Sequence, residues 1–333
     1  MRRLLQAKEY RPRNDTKHKM TIRSLDLLDL PIIARYRNDV LTLDSARALT
    51  RGHPLGTMGL LAYINPARHL YAAIANGGDM ALLGGVIHTR GESFAKLLYL
   101  APSSHLNDPE LPALIEHLVV QAGEWEAFHV MAEVEKSSDV FPALRIAGFS
   151  VYAWQRLWDV SLIEKTESVQ QRRPDRVEGS GWRRIRSVDL PAVQNLHYQI
   201  VPPLLHPVEP APNRVVGFVH SENMKCYANV TAGMYGIVLT PLIHPDEHNV
   251  SEKISALVAN LPDRRGRKVY LNVRSYQTWL EPVLADLGAQ ASARQAVMVK
   301  HLARLVKEGQ PARAVPSSVS VQASNISRMD VDE

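Results

Sequence analysis

The sequence has little cysteine, few aromatic residues and no long apolar run. Cys226 is the single cysteine among 333 residues, which excludes an intrachain disulfide and a zinc site built from several thiolates. We therefore expect a reducing compartment, the cytoplasm. No run of about 18 apolar residues occurs, and none follows the basic N-terminus, so neither a membrane partner nor a secretory signal is predicted.

The excess of positive charge lies at one end of the chain. The formal net charge is +5, and residues 1–19 carry seven basic and two acidic side chains, which accounts for the whole excess. The later basic stretches, Arg172-Arg173 and Arg264–Lys268, have no interleaved aromatic residues, so nucleic-acid binding is not indicated. We interpret residues 1–19 as a basic disordered leader and Met20 as a candidate native start.

Two short motifs recur in the same order, which indicates an internal duplication. The hexapeptide Ile22–Leu27 (IRSLDL) reappears as Ile185–Leu190 (IRSVDL). The pattern Pro142-x-Leu144-x-x-x-Gly148 reappears from Pro282 with a smaller offset in residue number, so the second copy is expected to be shorter in its middle, by about 23 residues. The predicted organisation is a leader (1–19), domain 1 (20–165), a polar linker (166–180), domain 2 (181–306) and a disordered tail (307–333).

Hydrophobic periodicity predicts the same order of elements in both copies. In the first copy it predicts helices at 30–37, 45–50 (N-capped by Asp44), 111–122 and 139–147, and strands at 59–64, 69–75, 80–89, 94–101, 129–135 and 149–160. In the second it predicts helices at 250–261 and 278–287, and strands at 215–219, 224–230, 234–239, 268–274 and 293–301. This pattern is typical of a mixed α/β sheet.

Part of this order resembles the GNAT superfamily of acyl-CoA N-acyltransferases. The resemblance rests on Leu97–Pro102 leading into a helix, on the strand Val130–Val134, and on Gly148-Phe149 closing the next helix. It implies two GNAT-like domains packed in tandem, which transfer an acyl group from acetyl-CoA or another acyl-CoA to a small-molecule amine. It also places cofactor binding at the turn after the fourth strand, on Leu100, Pro102, Ser103, Ser104 and His105.

Both copies depart from the family at the same two places. The turn residues 102–109 and 241–248 lack the glycines and the arginine with which the family holds the cofactor pyrophosphate. Leu144 and Leu284 stand where many members have a proton-donating tyrosine. A second reading is therefore a non-catalytic pseudo-acetyltransferase, without a cofactor, that acts as a ligand- or protein-binding module. The two readings differ in what they imply for a V-shaped gap between strands 95–101 and 129–135. The gap is open to a cofactor in the first reading and filled by side chains in the second.

Glu133 and Glu135 are the candidate catalytic residues. They share one face of the strand that borders the acceptor cleft in the family, where a carboxylate can deprotonate an amine; alternatively, they are solvated or ion-paired. Arg274, on the matching strand of copy two, is either an anion-binding side chain or an ordinary surface arginine. The loop with His244, Asp246, Glu247 and His248 has ligand-type side chains, but no helix fixes their spacing, so a polar turn and no metal site are predicted.

Overall fold

The computed structural model describes residues 21–56, 68–77, 80–163, 181–221 and 224–302. The predicted leader, linker and tail, and the predicted strand 59–64, lie outside these residues. The helices are α1 (Leu30–Tyr36), α2 (Ser45–Arg51), α3 (Leu111–Glu124), α4 (Val140–Ile146), α5 (Leu190–Ile200), α6 (Val250–Ala259) and α7 (Leu280–Asp286). The strands are β1 (Thr21–Ser24), β2 (Leu41–Thr42), β3 (Arg68–Asn76), β4 (Leu82–Thr89), β5 (Phe94–Ala101), β6 (His129–Glu135), β7 (Ser150–Asp159), β8 (Trp182–Arg184), β9 (Phe218–His220), β10 (Cys226–Ala232), β11 (Gly236–Ile243), β12 (Lys268–Arg274), β13 (Gln290–Ala291) and β14 (Gln295–His301).

The described strands form one continuous mixed sheet. Their order is β1-β3-β4-β5-β6-β14-β7-β12-β11-β10-β9-β8, with β2 added to β5 and β13 added to β7. Two neighbouring pairs, β5 with β6 and β11 with β12, are parallel, and the other pairs are antiparallel. The mixed α/β class that the sequence predicts is thus confirmed.

The structure corrects the register of the duplication at its start. Arg23 forms a two-pronged ion pair with Asp29, and Arg183 forms the same pair with Asp189. Arg23 is therefore equivalent to Arg183, and not to Arg186 as the two hexapeptides imply. The helices α1 and α5 begin at Leu30 and Leu190, which gives the same equivalence. The match between the hexapeptides is out of register by three positions, and the second copy is shorter by about 20.

The second motif, in contrast, is in register. The helices α4 and α7 begin at Val140 and Leu280, with the same spacing as the two copies of that motif. Both end on a glycine with positive φ, 85° at Gly148 and 76° at Gly288, a conformation that glycine adopts without steric cost. The next residue then donates back to the carbonyl of Leu144 or Leu284. These glycines turn the chain from each helix into the strand that follows.

The two repeats exchange strands in the middle of the sheet. β14, the last strand of the second repeat, lies between β6 and β7 of the first and pairs with both. β7 extends further and pairs with β12 of the second repeat. Gln155 and Gln295 have the same spacing in the sequence as the second motif, and they face each other as register partners. The approximate twofold relation between the repeats therefore passes through this pair of glutamines.

The helices pack on both faces of the sheet. One face of the first repeat packs against α3 and α4, with Leu114, Ile115 and Leu118 fully buried, as the periodicity predicts. The opposite face packs against α1 through Ile33 and Tyr36. In the second repeat, α6 and α7 enclose a corresponding core, and α5 covers a third cluster to which both repeats contribute side chains. The site residues predicted from the sequence lie on, or directly after, the strands of the two parallel pairs.

Candidate functional site

The parallel strands of the first repeat separate partway along their length. β5 and β6 pair only over Phe94–Lys96 and His129–Met131, and beyond that point they diverge. We call the space between Leu97–Ala101 and Ala132–Glu135 the first gap. It lies between the two strands for which the sequence analysis considers a V-shaped gap.

A segment of the chain itself, Leu41–Ser45, fills the first gap. β2 pairs antiparallel with Leu100 and Tyr99 on one side of it. Leu43 N then donates to Leu98 O (2.8 Å), and Leu43 O accepts from Glu133 N (2.8 Å), so the segment bridges β5 and β6 through main-chain hydrogen bonds. Leu43 is 1% exposed. The main-chain groups that a ligand in this gap would need are therefore bonded within the protein.

A carboxylate from another segment, Asp39 just before β2, lies at the turn after β5. Asp39 accepts hydrogen bonds from the Ser103 hydroxyl, from Ser104 N (3.1 Å) and from Ser104 Oγ (2.6 Å). The hydroxyls of Ser103 and Ser104 lower the pKa of Asp39, so the group is ionised at neutral pH. Of the other predicted cofactor residues, Leu100 is fully buried in β5, and His105 ends a one-turn 3-10 helix, with Nδ1 3.0 Å from Ser104 Oγ. The hydrogen-bond donors of this turn are therefore used by Asp39, a carboxylate of the chain itself.

The second repeat shows the same arrangement with different residues. β11 and β12 pair only over Gly236–Leu239 and Lys268–Leu271 and then diverge. Gln277, 1% exposed, donates Nε2 to Ile243 O (3.2 Å) across this second gap. In the turn before α6, Glu247 accepts from His248 N (3.1 Å) and pairs with Lys253 (2.6 Å). Each repeat therefore holds a carboxylate at the turn where the resemblance in sequence pattern implies pyrophosphate binding.

The structure separates the two predicted catalytic glutamates. Glu135 is exposed at the end of β6, whereas Glu133 is 5% exposed. Glu133 Oε2 accepts from Ser45 N (2.9 Å), the first residue of α2. Both side chains lie on one face of β6, but they occupy different environments, and only Glu133 lies in the first gap.

Glu133 belongs to a group of buried and half-buried polar residues around the approximate twofold relation. We call this group the central cluster; it consists of Asp44, Ser45, Lys96, Glu133, Gln155, Glu209, Asn272, Arg274, Tyr276 and Gln295. Gln295 Oε1 accepts from Ser45 Oγ (2.9 Å) and from Gln155 Nε2 (3.0 Å). Gln155 Oε1 accepts from Asn272 Nδ2 (3.2 Å) and from the Arg274 guanidinium. The cluster therefore links the gap of one repeat to the gap of the other.

Ion pairs complete the central cluster. Lys96 Nζ lies 3.3 Å from Asp44 Oδ1, and Arg274 Nε lies 2.9 Å from Glu209 Oε1, which places the predicted anion-binding arginine on an internal carboxylate. Burial opposes both cationic charges, but Asp44 and Glu133 outweigh it at Lys96, and Glu209 and Glu133 outweigh it at Arg274, so both pKa values are raised. Burial and the neighbouring Glu209 raise the pKa of Tyr276, which donates to Glu209 Oε2 (2.8 Å). Lys96 and Arg274 therefore keep their positive charges at physiological pH, and Tyr276 stays neutral.

The loop considered for metal binding uses its side chains within the protein. His244 Nδ1 accepts from Asp246 N (3.2 Å), and Glu247 is paired with Lys253. Among the described residues, no three histidine, cysteine, aspartate or glutamate side chains come together as a metal site. Within the same residues, no helix has the length and apolar character to cross a bilayer.

Sequence reasoning missed the residues that fill the gaps and turns. Leu41–Ser45 contains a strand of only two residues, which is too short to show alternation, and Asp39 gives no local signal. One signal is present for the central cluster. Gln155 and Gln295 are separated by the same offset as the second motif, and a search for polar residues in register with that motif would find them.

Comparison with known proteins finds similarity of structure only. No protein-family model and no curated protein matches the sequence. Among solved structures, a tandem GNAT protein from the clavulanic acid biosynthesis pathway is 15% identical, with 85% of this chain and 98% of that chain covered and a TM-score of 0.48. A GCN5-related N-acetyltransferase from Sphaerobacter thermophilus is 13% identical (85% and 95% covered, TM-score 0.49). A putative acetyltransferase from Pyrococcus horikoshii is 11% identical (89% and 94% covered, TM-score 0.47).

The duplication within this chain rests on its own two parallel strand pairs and its repeated helix ends. Similarity at 11–15% identity concerns the course of the chain and says nothing of activity or substrate.

Proposed function

We propose that this chain is a tandem GNAT-like protein that is non-catalytic, binds no acyl-CoA at either repeat, and acts as a binding module. The observation that carries the proposal is the segment Leu41–Ser45, which lies in the first gap and bonds to both of its strands. An acyl thioester would have to displace a buried leucine and two main-chain hydrogen bonds before it could enter. Burying an unsatisfied main-chain group costs about 1–3 kcal/mol, so this displacement consumes much of an ordinary binding energy.

The turns support the same conclusion through electrostatics. A pyrophosphate brought to Ser103 and Ser104 would meet the ionised Asp39, which already uses their donors. In the second repeat it would meet Glu247 at the start of α6. Like charges in contact disfavour binding, and no arginine from either turn compensates.

The acyltransferase reading would use Glu133 as the general base. Glu133 is bonded to Ser45 N and stands between the cations of the central cluster, an arrangement that favours a structural role for its carboxylate. Glu135, on the same face, is exposed to solvent.

Calorimetric titration of the purified chain with acetyl-CoA and with CoA tests the proposal. Ser104→Glu and His248→Glu add a carboxylate to the first and second turns, and Gln290→Glu adds one at an exposed site on β13, which pairs with β7. We expect no heat of binding at millimolar ligand, or heat that is the same in all variants and so arises elsewhere. Binding by the wild type that is lost in Ser104→Glu or His248→Glu, but kept in Gln290→Glu, would overturn the proposal.

A further inference from the structure

A cleft of about 530 Å³ lies at the edge of the sheet opposite the first gap. It is bordered by the end of β4, the starts of β3, β5 and β6, and the end of α3. β5 is eight residues long and runs from this cleft to the turn with Ser103. The cleft is therefore separate from both gaps and both turns, and its properties do not depend on whether the chain binds acyl-CoA.

Three aromatic rings line one side of the cleft. His69 and His88 are register partners on β3 and β4, and Trp125 directly follows α3. The His69 and Trp125 centroids are 5.4 Å apart, and those of His69 and His88 are 6.0 Å apart, with interplanar angles of 25° and 16°. Since the three planes are nearly parallel and His69 and Trp125 are only half-buried, they form a surface on which a flat ring can stack.

His88, the buried member of this aromatic group, carries a hydrogen-bond acceptor without a partner. It is 5% exposed, and its Nε2 lies 2.8 Å from Glu92 O. A carbonyl can only accept, so Nε2 carries the proton and Nδ1 of the neutral ring is an acceptor. Nδ1 has no donor among the described residues. A buried polar atom without a partner is unusual.

The charge of the cleft is negative. Glu92, Glu124 and Glu126 line it, against Arg90 within the cleft and Arg214 of the second repeat, which approaches Glu92 at 3.7 Å. Aromatic faces attract cations through their quadrupole, and nearby carboxylates add to that attraction. An anionic ligand would be repelled by the same groups.

We propose that this cleft binds a small planar organic cation, such as a quaternised or protonated heteroaromatic ring. The ring stacks on Trp125 and His69, while its positive charge lies near Glu92 and Glu124. This assignment names a binding site and a ligand class for a chain whose family-type cofactor site is filled.

Three bicyclic probes of similar size and different charge test the proposal: N-methylquinolinium, neutral quinoline and 2-naphthoate, each titrated at pH 8 by calorimetry and by tryptophan fluorescence. We expect the cation to bind at least tenfold more tightly than quinoline, and the anion not to bind. In Glu124→Gln the dissociation constant of the cation should rise at least threefold. Glu116→Gln, on the exposed side of the same helix, is the matched control and should leave it unchanged.

Trp125→Phe locates the probe, because it keeps a ring in place and removes the fluorescence that stacking would quench. If that variant does not fold, the comparison of Glu124→Gln with Glu116→Gln still tests the proposal. Equal affinity for the three probes, binding of none of them, or equal effects of Glu124→Gln and Glu116→Gln would overturn the proposal.

Discussion

Replacing Gln295 with alanine should destabilise the protein strongly, although Gln295 lies on the last described strand. Its Oε1 accepts from Ser45 Oγ (2.9 Å) and from Gln155 Nε2 (3.0 Å), and Gln155 and Ser45 are 1% and 7% exposed. The substitution leaves both donors without an acceptor. Each buried donor left unsatisfied costs about 1–3 kcal/mol. Gln295 is itself half-buried, so water relieves part of the cost, and we expect the free energy of unfolding to fall by about 2–4 kcal/mol.

Urea unfolding followed by tryptophan fluorescence and by circular dichroism measures this loss. Gln290→Ala is the matched control, because Gln290 is exposed on β13, and it should change stability by less than about 0.5 kcal/mol. A double-mutant cycle of Ser45→Ala with Gln295→Ala should show a coupling energy of about 0.5–1.5 kcal/mol, since the two residues share a hydrogen bond between the repeats. If Gln295→Ala costs no more than Gln290→Ala, the central cluster does not join the repeats as described.

Two further changes test other contacts between and within the repeats. Gly233→Ala should lower the free energy of unfolding by about 1–3 kcal/mol, because its Cβ would lie 2.1 Å from Thr50 O of α2; Gly123→Ala in α3, with its nearest neighbour at 3.6 Å, should be neutral or stabilising in the same urea assay, and equal effects would refute this packing. The pKa values of Asp29 and Asp189 are lowered to about 2 by Arg23 and Arg183, so the stability they contribute is present above about pH 4 and is lost as the pH falls towards 2. Asp189→Asn should flatten that part of the stability profile measured by urea unfolding, and an unchanged acid slope would contradict it.

The sequence is sufficient where structure follows local periodicity. The strand 268–274 is predicted with its observed bounds, and the apolar stripe from Leu111 to Ala122 is the buried face of α3. The start of the duplication is predicted out of register because two short segments share letters by coincidence. The true equivalence, Leu28-Asp29-Leu30-Pro31 with Val188-Asp189-Leu190-Pro191, is marked by an aspartate that holds an arginine of the preceding strand.

The exchange of strands is beyond local periodicity for a physical reason. Alternation in 149–160 and 293–301 shows that each strand is half-buried, but it carries no information about which strand lies beside it. The choice is made by tertiary contacts such as Gln155 with Gln295. The same holds for the gaps: a two-residue strand and one aspartate have no periodic signature, so their position can only be seen in three dimensions.

The exchange also explains why filled gaps and a central cluster occur together. Diverging parallel strands leave main-chain groups without sheet partners, and a ligand or another segment must satisfy them. In the first repeat, Leu41–Ser45 supplies those bonds, and Ser45 then bonds to Gln295 of the second repeat. In the second, Gln277 reaches Ile243 O, while Arg274 bonds to Gln155 of the first repeat. Each gap is thus filled by residues of its own repeat, and residues beside the gap form hydrogen bonds to the other repeat. Opening one gap for a cofactor would therefore disturb contacts that hold the two repeats together.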